Sequence, residues 1–424
     1  MRVVIINKSD ATGGAAVVSR RLMEALRDEG VDARMLVCEK LTDSPFIETA
    51  ASKKVIFRNF FLERLKIFTA TGLNKKNLFK IDTGAEGISL WKTPLVKDAD
   101  AILINWVNQG MLSLKGLKKI LKLGKPVICT MHDMWWMTGI CHHAGRCQHF
   151  QKKCGDCPLL ERFASSDDLS RKVWEKKNRI FTDPLLNQKM IFVAVSSWLK
   201  EKSKESSLLK HRKLEVIPNA FKLRELSTSY NGRVSSPIRL LFGAARLDDS
   251  IKGLDTFREA TKFLKEDYPD ISRNLEIVLF GSIKDTTNLE GFGLPVKWLG
   301  MLHGDEEVRK VYEESHILVS ASSYETLPGT LVEAQAYGCI PVSFNQGGQS
   351  DIVESEETGF IVSYEEDMQS RARNLAEGIV KAYETINNSE KYRTFITKMK
   401  ANVAEKFSYS QIAVKYISLI KAYS

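Results

Sequence analysis

Two glutamates that frame a strand-to-helix turn are the residues of this chain whose types and spacing best suit chemistry. Glu325 and Glu333 stand with seven residues between them in the run ILVSASSYETLPGTLVEAQAYGCIPV, residues 317–342. The run predicts an apolar strand, a polar turn, a helix and a second strand. Ligands of open α/β sheets bind beyond the carboxyl ends of the strands, where helix N-termini point N–H groups outward. Carboxylates there suit the hydroxyls of a sugar and a ribose, with phosphates on the helix N-terminus between them.

Two basic residues are candidates for the same anion. Arg246 follows a predicted strand at residues 238–243, and Lys252 opens the run KGLD, which predicts the start of the next helix. Arg offers paired donors to phosphate, and Lys offers a point charge. Both side chains are therefore candidate ligands of a diphosphate, and charge in a leaving group is what such a catalyst must stabilise.

The first half of the chain contributes a glycine loop and a histidine. The loop NKSDATGGAA, residues 7–16, contains Gly13 and Gly14 before a predicted helix, and paired glycines allow the backbone to approach an anion closely. The loop is not a G-x-G-x-x-G fingerprint, so it does not predict NAD binding. His132 follows another predicted strand and is expected to face the same edge of its sheet.

The run at residues 317–342 resembles the nucleotide-sugar signature of glycosyltransferase family 4, a group of retaining enzymes with the GT-B fold. The family pattern has Glu, seven residues, Glu-Ala, a small residue and Gly, then an apolar strand, and the chain matches it with Ala334 and Gly338. The step VIPNA at residues 216–220 is also similar, with Ala220 where the family usually has Gly. The resemblance covers most of the chain and is strongest over residues 238–362.

The resemblance implies a retaining hexosyltransferase that moves a sugar from a nucleotide-diphosphate donor to a saccharide acceptor. Polysaccharide-building members often use lipid-linked acceptors. By the same resemblance, Glu325 would hold donor sugar hydroxyls and Glu333 the ribose. His132 would contact the sugar, while Arg246 and Lys252 would stabilise the departing diphosphate. Further donor contacts are expected at Gly13, Gly14, Leu302, Thr326, Leu327, Pro328 and Gly329. No catalytic metal is expected.

Four cysteines form the second chemical constellation. Cys141, Cys147, Cys154 and Cys157 lie close together in sequence, and the last two form a C-x-x-C. In a reduced compartment, clustered thiols suit a tetrahedral structural zinc. The surrounding run resembles a Cys-bearing insertion of some family 4 enzymes, and free thiols in a loop are the alternative.

Strands and helices alternate along the chain, which predicts parallel sheets with helices on both faces. The resemblance implies two Rossmann-like doubly wound α/β domains facing across a cleft, with the C-terminal helix crossing back to the first domain. The predicted bounds are an acceptor domain at 1–221 with the Cys-rich insertion at 139–160, a linker at 222–237, a donor domain at 238–405, and the returning helix at 406–424.

Length and composition are those of a soluble globular protein, with 424 residues and 43% hydrophobic residues. No run approaches the roughly 20 apolar residues of a membrane span. The start MRVVIIN lacks the features of a signal peptide, so a cytoplasmic location and reduced cysteines are expected.

The formal net charge of +10 predicts an anionic partner. Eight Lys or Arg between residues 53 and 80 oppose only Glu63, and phenylalanines interleave with them. Two interpretations stay open. The segment is either a basic helix that lies on the cytoplasmic face of an anionic membrane, or a helix whose Phe face packs on the domain while its Lys face is solvated.

Other functions are alternatives to transfer. A nucleotide-sugar 2-epimerase or a hydrolase on the same fold would share the donor residues. A basic nucleic-acid-binding protein with a zinc module would use the charge and the cysteines, but it leaves Glu325 and Glu333 unexplained. No nucleic-acid partner is therefore expected.

Overall fold

The computed structural model of the protein describes residues 1–222 and 236–424, and they form two compact units. Unit 1 comprises Met1–Phe221 and Tyr409–Ser424, and unit 2 comprises Lys222–Ser408. Most of the predicted linker at 222–237 lies outside the described residues.

Unit 1 is built on a seven-stranded sheet in the order β3-β2-β1-β4-β5-β6-β7, and every neighbouring pair is parallel. Its central strands are almost continuously buried, as expected when helices cover both faces of a parallel sheet. The strands are β1 Arg2–Ser9, β2 Asp32–Glu39, β3 Ile47–Thr49, β4 Ala101–Ile104, β5 Val127–Met131, β6 Met190–Ala194 and β7 Leu214–Val216. The helices between them are α1 Gly14–Asp28, α2 Lys53–Ala70, α3 Pro94–Asp98, α4 Leu114–Leu121, α5 Leu169–Thr182 and α6 Ser197–Glu205.

Unit 2 contains a six-stranded parallel sheet in the order β10-β9-β8-β11-β12-β13. One apolar core joins this sheet to its flanking helices. The strands are β8 Ile238–Arg246, β9 Leu275–Ser282, β10 Val296–Trp298, β11 Ile317–Ser320, β12 Ile340–Phe344 and β13 Phe360–Val362. The helices are α7 Leu254–Asp267, α8 Pro269–Ser272, α9 Gly304–Glu313, α10 Gly329–Tyr337, α11 Gln349–Ile352, α12 Met368–Asn387 and α13 Ser389–Phe407.

The last helix, α14 Tyr409–Tyr423, belongs to unit 1 although it follows unit 2 in sequence. Its apolar side joins the core of unit 1 through Ile412, Tyr416 and Ile420. Two hydroxyls fix its position, because Tyr416 lies 3.1 Å from Thr130 Oγ1 and Tyr409 donates to Glu24 Oε2 at 2.9 Å. The predicted return of the C-terminal helix is therefore confirmed.

The predicted parallel α/β architecture is confirmed in both units. The strand that sequence reasoning missed, β3, has only three residues and lies at the sheet edge. Among the described helices, none combines the length and the apolar character that crossing a bilayer demands.

Candidate active site

The strand order of unit 2 reverses between β8 and β11, and ligands of doubly wound sheets bind at such a switch point. Lys252 follows β8, and Glu325 follows β11. Lys252 Nζ donates to Glu325 Oε1 at 2.6 Å. The two side chains are 33% and 18% exposed, so the pair remains within reach of a ligand. The structure thus brings together two of the predicted site residues.

Close backbone contacts hold the two loops against each other. Gly253 has φ 74°, and a Cβ there would lie 2.2 Å from the carbonyl oxygen of Ala321. Ser323 N donates to Ile251 O at 2.8 Å. Because the loops touch through their backbones, the spacing of Lys252 and Glu325 is set by the scaffold.

A third loop, after β12, supports Glu325 and was missed by sequence reasoning. Glu325 N donates to Gln346 O at 3.1 Å, and Gly348 N donates to Glu325 O at 3.0 Å. A Cβ at Gly347 would lie 1.7 Å from Glu325 O, so only glycine fits there. The signal in the sequence was the Gly-Gly pair just after a predicted strand.

Helix α10 starts beside this pair of loops. It begins at Gly329 with Pro328 just before it, no side chain caps its N-terminus, and its first turn has no acidic residue. Glu333 lies one turn into the helix and is partly exposed. Thr326 is partly exposed, whereas Leu327 and Pro328 are buried. The arrangement leaves the positive end of the helix for an anion.

Two further predicted donor residues are Arg246, the last residue of β8, and Leu302. The Arg246 side chain is 55% exposed and its Nε lies 3.4 Å from Asp248 Oδ1. Leu302 follows β10, the edge strand, which is two strands away from β8. Their roles stay predictions.

In unit 1, Gly13 and Gly14 lie at the start of α1, as predicted. Gly13 precedes the helix with φ 86°. Both glycines are exposed, and a Cβ built on either one would meet no atom within 4 Å. The loop therefore has open space beside the helix N-terminus.

His132 directly follows β5, at the carboxyl edge of the same sheet. Its side chain borders a cavity of about 10 Å³, together with Asn105, Pro218 and Tyr416. Burial lowers the pKa of His132 to about 4, and nearby Asp133 opposes that change only in part. The imidazole is consequently neutral at neutral pH.

Asp133 organises a buried polar cluster that sequence reasoning did not anticipate. Its Oδ2 accepts from Trp106 Nε1 at 2.9 Å and lies 2.7 Å from His142 Nδ1. Burial alone would raise the pKa of Asp133, but the His142 ring and the Trp135 N–H outweigh it and hold the pKa at about 2. The ionised carboxylate therefore fixes the loop that carries His132.

The four clustered cysteines are all free thiols. Gly139 N donates to Cys154 Sγ at 3.2 Å. The pKa of Cys141 is raised to about 12, mainly by burial and to a smaller extent by the neighbouring Cys154 and Cys147. In the described parts of the chain, no three His, Cys, Asp or Glu side chains are grouped as metal ligands. The structural zinc therefore stays a prediction.

Elemental analysis of purified protein tests this prediction. We expect about one zinc per chain, because four thiolates complete a tetrahedral site. Cys154→Ser should release the metal, whereas Cys38→Ala, a buried cysteine in β2, should leave it bound. Metal-free protein, or equal zinc in both variants, would contradict the prediction.

Two family models match this sequence. The model described as Glycosyltransferase Family 4 matches residues 12–225. The model described as Glycosyl transferases group 1 matches residues 238–384. The Glycosyltransferase Family 4 model covers half of the chain. The two models together match parts of both units, and the second includes Lys252 and Glu325.

Individual relatives agree with these matches. A glycogen synthase of Thermodesulfovibrio yellowstonii is 32% identical over 128 residues, which are 30% of this chain and 24% of that protein. An uncharacterized glycosyltransferase of Haemophilus influenzae is 28% identical over 176 residues, 40% of this chain and 46% of that protein. The chain thus spans less than half the length of either relative.

The fold also matches a solved structure. Anabaena HepE, solved in complex with UDP and glucose, shares the fold with a TM-score of 0.59 at 15% identity, over 100% of both chains. Because the family model covers half of its length, the chain belongs to glycosyltransferase family 4, and its two units have the GT-B fold.

Proposed function

We propose that the protein is a retaining glycosyltransferase that moves a sugar from a nucleotide-diphosphate donor to a saccharide acceptor. The observation that carries this proposal is the 2.6 Å pair of Lys252 and Glu325 at the sheet switch point, beside the start of α10. A cation, a carboxylate and a helix N-terminus in one place match the parts of such a donor.

The diphosphate would bind at the uncapped N-terminus of α10 and at Lys252. Backbone N–H groups of the first turn and the helix dipole favour an anion there. As the sugar–phosphate bond breaks, charge grows on the leaving diphosphate, and a fixed cation stabilises that charge. Arg246 would add a second cation after leaving Asp248, which holds it only weakly at 3.4 Å.

Glu325 would bind the hydroxyls of the donor sugar, and Glu333 those of the ribose. Without ligand, Glu325 neutralises Lys252. A diphosphate competes for the same ammonium group, so donor binding would free the carboxylate to accept from sugar hydroxyls. Binding of the phosphates and recognition of the sugar would thereby be coupled.

Retention of the anomeric configuration is supported by family membership rather than by a nucleophile identified in this chain. Attack on the face from which the nucleotide leaves would account for it. His132, neutral at neutral pH, stays the predicted sugar contact from unit 1.

The proposed acceptor classes come from the relatives of this chain. One relative is named a glycogen synthase, and the resemblance to polysaccharide-building enzymes adds lipid-linked saccharides. Short soluble glycans and lipid-linked glycans are therefore the two acceptor classes to compare.

Thermal unfolding with a panel of nucleotide sugars tests the donor proposal, and UDP-glucose is the first member because HepE was solved with it. A ligand bound only by the native state at a hundredfold excess over Kd adds about 2.7 kcal/mol of stability, so one donor should raise Tm clearly. Lys252→Met should abolish the rise. Lys262→Met, an exposed lysine on α7 paired with Glu259, should preserve it.

The product then tests retention. NMR of the anomeric proton should show the same configuration in donor and product. An inverted product would contradict retention alone. If no nucleotide sugar shifts Tm, the donor assignment itself is wrong.

A further inference from the structure

Helix α2 buries three polar side chains and exposes two of its phenylalanines. Its buried residues are Asn59, Glu63, Arg64 and Ile67. Its exposed residues include Phe57 at 67% and Phe61 at 52%. The interpretation in which the Phe face packs on the domain is thus wrong for these two rings.

Specific hydrogen bonds prevent the helix from turning over. The fully buried carboxylate of Glu63 accepts from Thr83 N at 2.7 Å and from Thr83 Oγ1 at 2.6 Å. Arg64 donates to Asp82 Oδ2 at 2.6 Å and to Leu78 O at 2.6 Å. Leaving these groups unpaired would be costly, so the apolar face of α2 is held toward solvent.

The exposed apolar face is continuous. Phe57, Phe61 and Leu65 are spaced by four residues, so they form one stripe along the helix, and the first two rings stack at 6.3 Å. Phe163 extends the stripe past the helix end, since a Cβ at Gly72 would lie 2.1 Å from its ring. Of fourteen large exposed hydrophobic residues in the described chain, half belong to this surface. They are Phe57, Phe61, Leu62, Leu65, Leu73, Phe79 and Phe163.

The charges around the stripe are basic. Seven of the eight Lys and Arg between residues 53 and 80 are exposed, and the acidic residue there, Glu63, is buried. The eighth, Arg64, is neutralised by Asp82. Lys76 has an acidic neighbour in Glu161 at 4.0 Å. The exposed basic residues are Lys53, Lys54, Arg58, Lys66, Lys75, Lys76 and Lys80.

The exposed aromatic rings and the basic residues around them together indicate what binds this face of α2. A second copy of this surface would set seven positive charges against seven, and like charges across an interface are unfavourable. An anionic bilayer satisfies both features, because basic side chains meet its headgroups and apolar side chains enter the acyl boundary.

We propose that the α2 surface, defined as the exposed residues of 53–80 with Phe163, docks the protein on anionic lipid bilayers. The helix would lie in the plane of the interface, with the Phe57–Phe61–Leu65 stripe facing the acyl chains. The proposal stands on unit 1 alone, so it does not depend on the donor assignment in unit 2.

Sedimentation of the full chain with vesicles tests the proposal. Vesicles of phosphatidylcholine with an equal part of phosphatidylglycerol should bind the protein, and added salt should release it. Phosphatidylcholine alone should bind poorly. Equal binding to both vesicles, or binding to neither, would overturn the proposal.

Matched variants separate docking from general electrostatics. Changing Lys53, Lys54, Arg58 and Lys66 to Gln should release the protein. The same change at Lys115, Lys118, Lys119 and Lys122, the exposed lysines of α4 and its end, should not. If both sets lose binding equally, net charge rather than the α2 surface is responsible.

The contribution of the exposed apolar side chains to vesicle binding is tested with a separate pair of variants. Phe57→Ser should weaken binding about tenfold, since burying a Phe is worth roughly one such factor. Leu185→Ser, at a leucine that is 84% exposed outside the α2 surface, should have no effect. These positions are exposed, so unchanged melting curves would confirm folding. A concentration-dependent dimer lost with Phe57→Ser would instead show that a second copy covers the surface.

Discussion

Glu325→Ala should lower kcat at least ~10²-fold, because it removes a contact beside the charge that develops in the transition state. The effect on donor KM should be smaller. Lys252 loses its ion-pair partner in this variant, and its ammonium group stays available for the diphosphate. Steady-state kinetics with the donor identified by thermal shift would measure both constants.

Three further variants show whether the kinetic effect of Glu325→Ala is specific to that residue. Glu333→Ala should chiefly raise the donor KM, since its proposed partner is the ribose. Lys252→Met should lower kcat and weaken donor binding together. Glu313→Ala, at an exposed carboxylate of α9 paired with Arg309, should leave both constants unchanged. Wild-type turnover in Glu325→Ala would remove Glu325 from the active site.

The ion pair also predicts non-additive kinetics. Lys252 and Glu325 are in direct contact, and contacting residues usually show coupling when both are changed. The loss in the double variant Lys252→Met/Glu325→Ala should therefore be smaller than the product of the single losses. A simple product would mean that the two side chains act independently.

The sequence was sufficient to place Glu325 and Lys252 at the same edge of the sheet in unit 2. Strand and helix periods placed Glu325 and Lys252 at strand ends, and the carboxyl ends of parallel strands meet at one sheet edge. The contact between the two side chains was not predicted. It depends on loop backbones that approach only because Gly253 and Gly347 lack a Cβ, and such approaches leave no periodic pattern.

Helix α2 shows the opposite case, in which an ordinary sequence rule fails. Apolar residues at helical spacing usually face a core, yet here Glu63 and Arg64 are buried and Phe57 and Phe61 are exposed. The deciding partners lie in residues 78–86, a segment without regular secondary structure. Hydrogen bonds to irregular backbone are invisible to hydrophobic periodicity, so the sequence left two interpretations open.

The polar anchor of α2 predicts a large stability effect. Arg64→Met should destabilise unit 1 by about 3–5 kcal/mol, the usual cost of removing one partner of a buried pair. The Arg64 and Asp82 side chains are 7% and 1% exposed, so water cannot replace the lost donor. Urea unfolding followed by Trp fluorescence would report it, since six of the seven tryptophans lie in unit 1.

An arginine-to-methionine change at the protein surface is the control for the unfolding experiment on Arg64→Met. Arg179→Met removes an arginine of α5 that is 79% exposed and lies 3.9 Å from Glu175, and exposed pairs contribute only about 0–1 kcal/mol. Equal shifts for Arg64→Met and Arg179→Met would show that the buried pair does not anchor α2.

A second substitution shows whether Arg64→Met is destabilising because packing is lost or because a buried charge is left unpaired. If the cost of Arg64→Met comes from the carboxylate left behind, Asp82→Asn in the same chain should restore part of the stability, because no uncompensated buried charge remains. Asp82 also accepts from Gln109 N at 2.7 Å and Gly84 N at 3.0 Å, so the recovery should be incomplete. No recovery at all would assign the effect to packing of the arginine stem. In either case the loosened helix should also bind anionic vesicles less well, since the docking surface requires α2 to keep its apolar stripe outward.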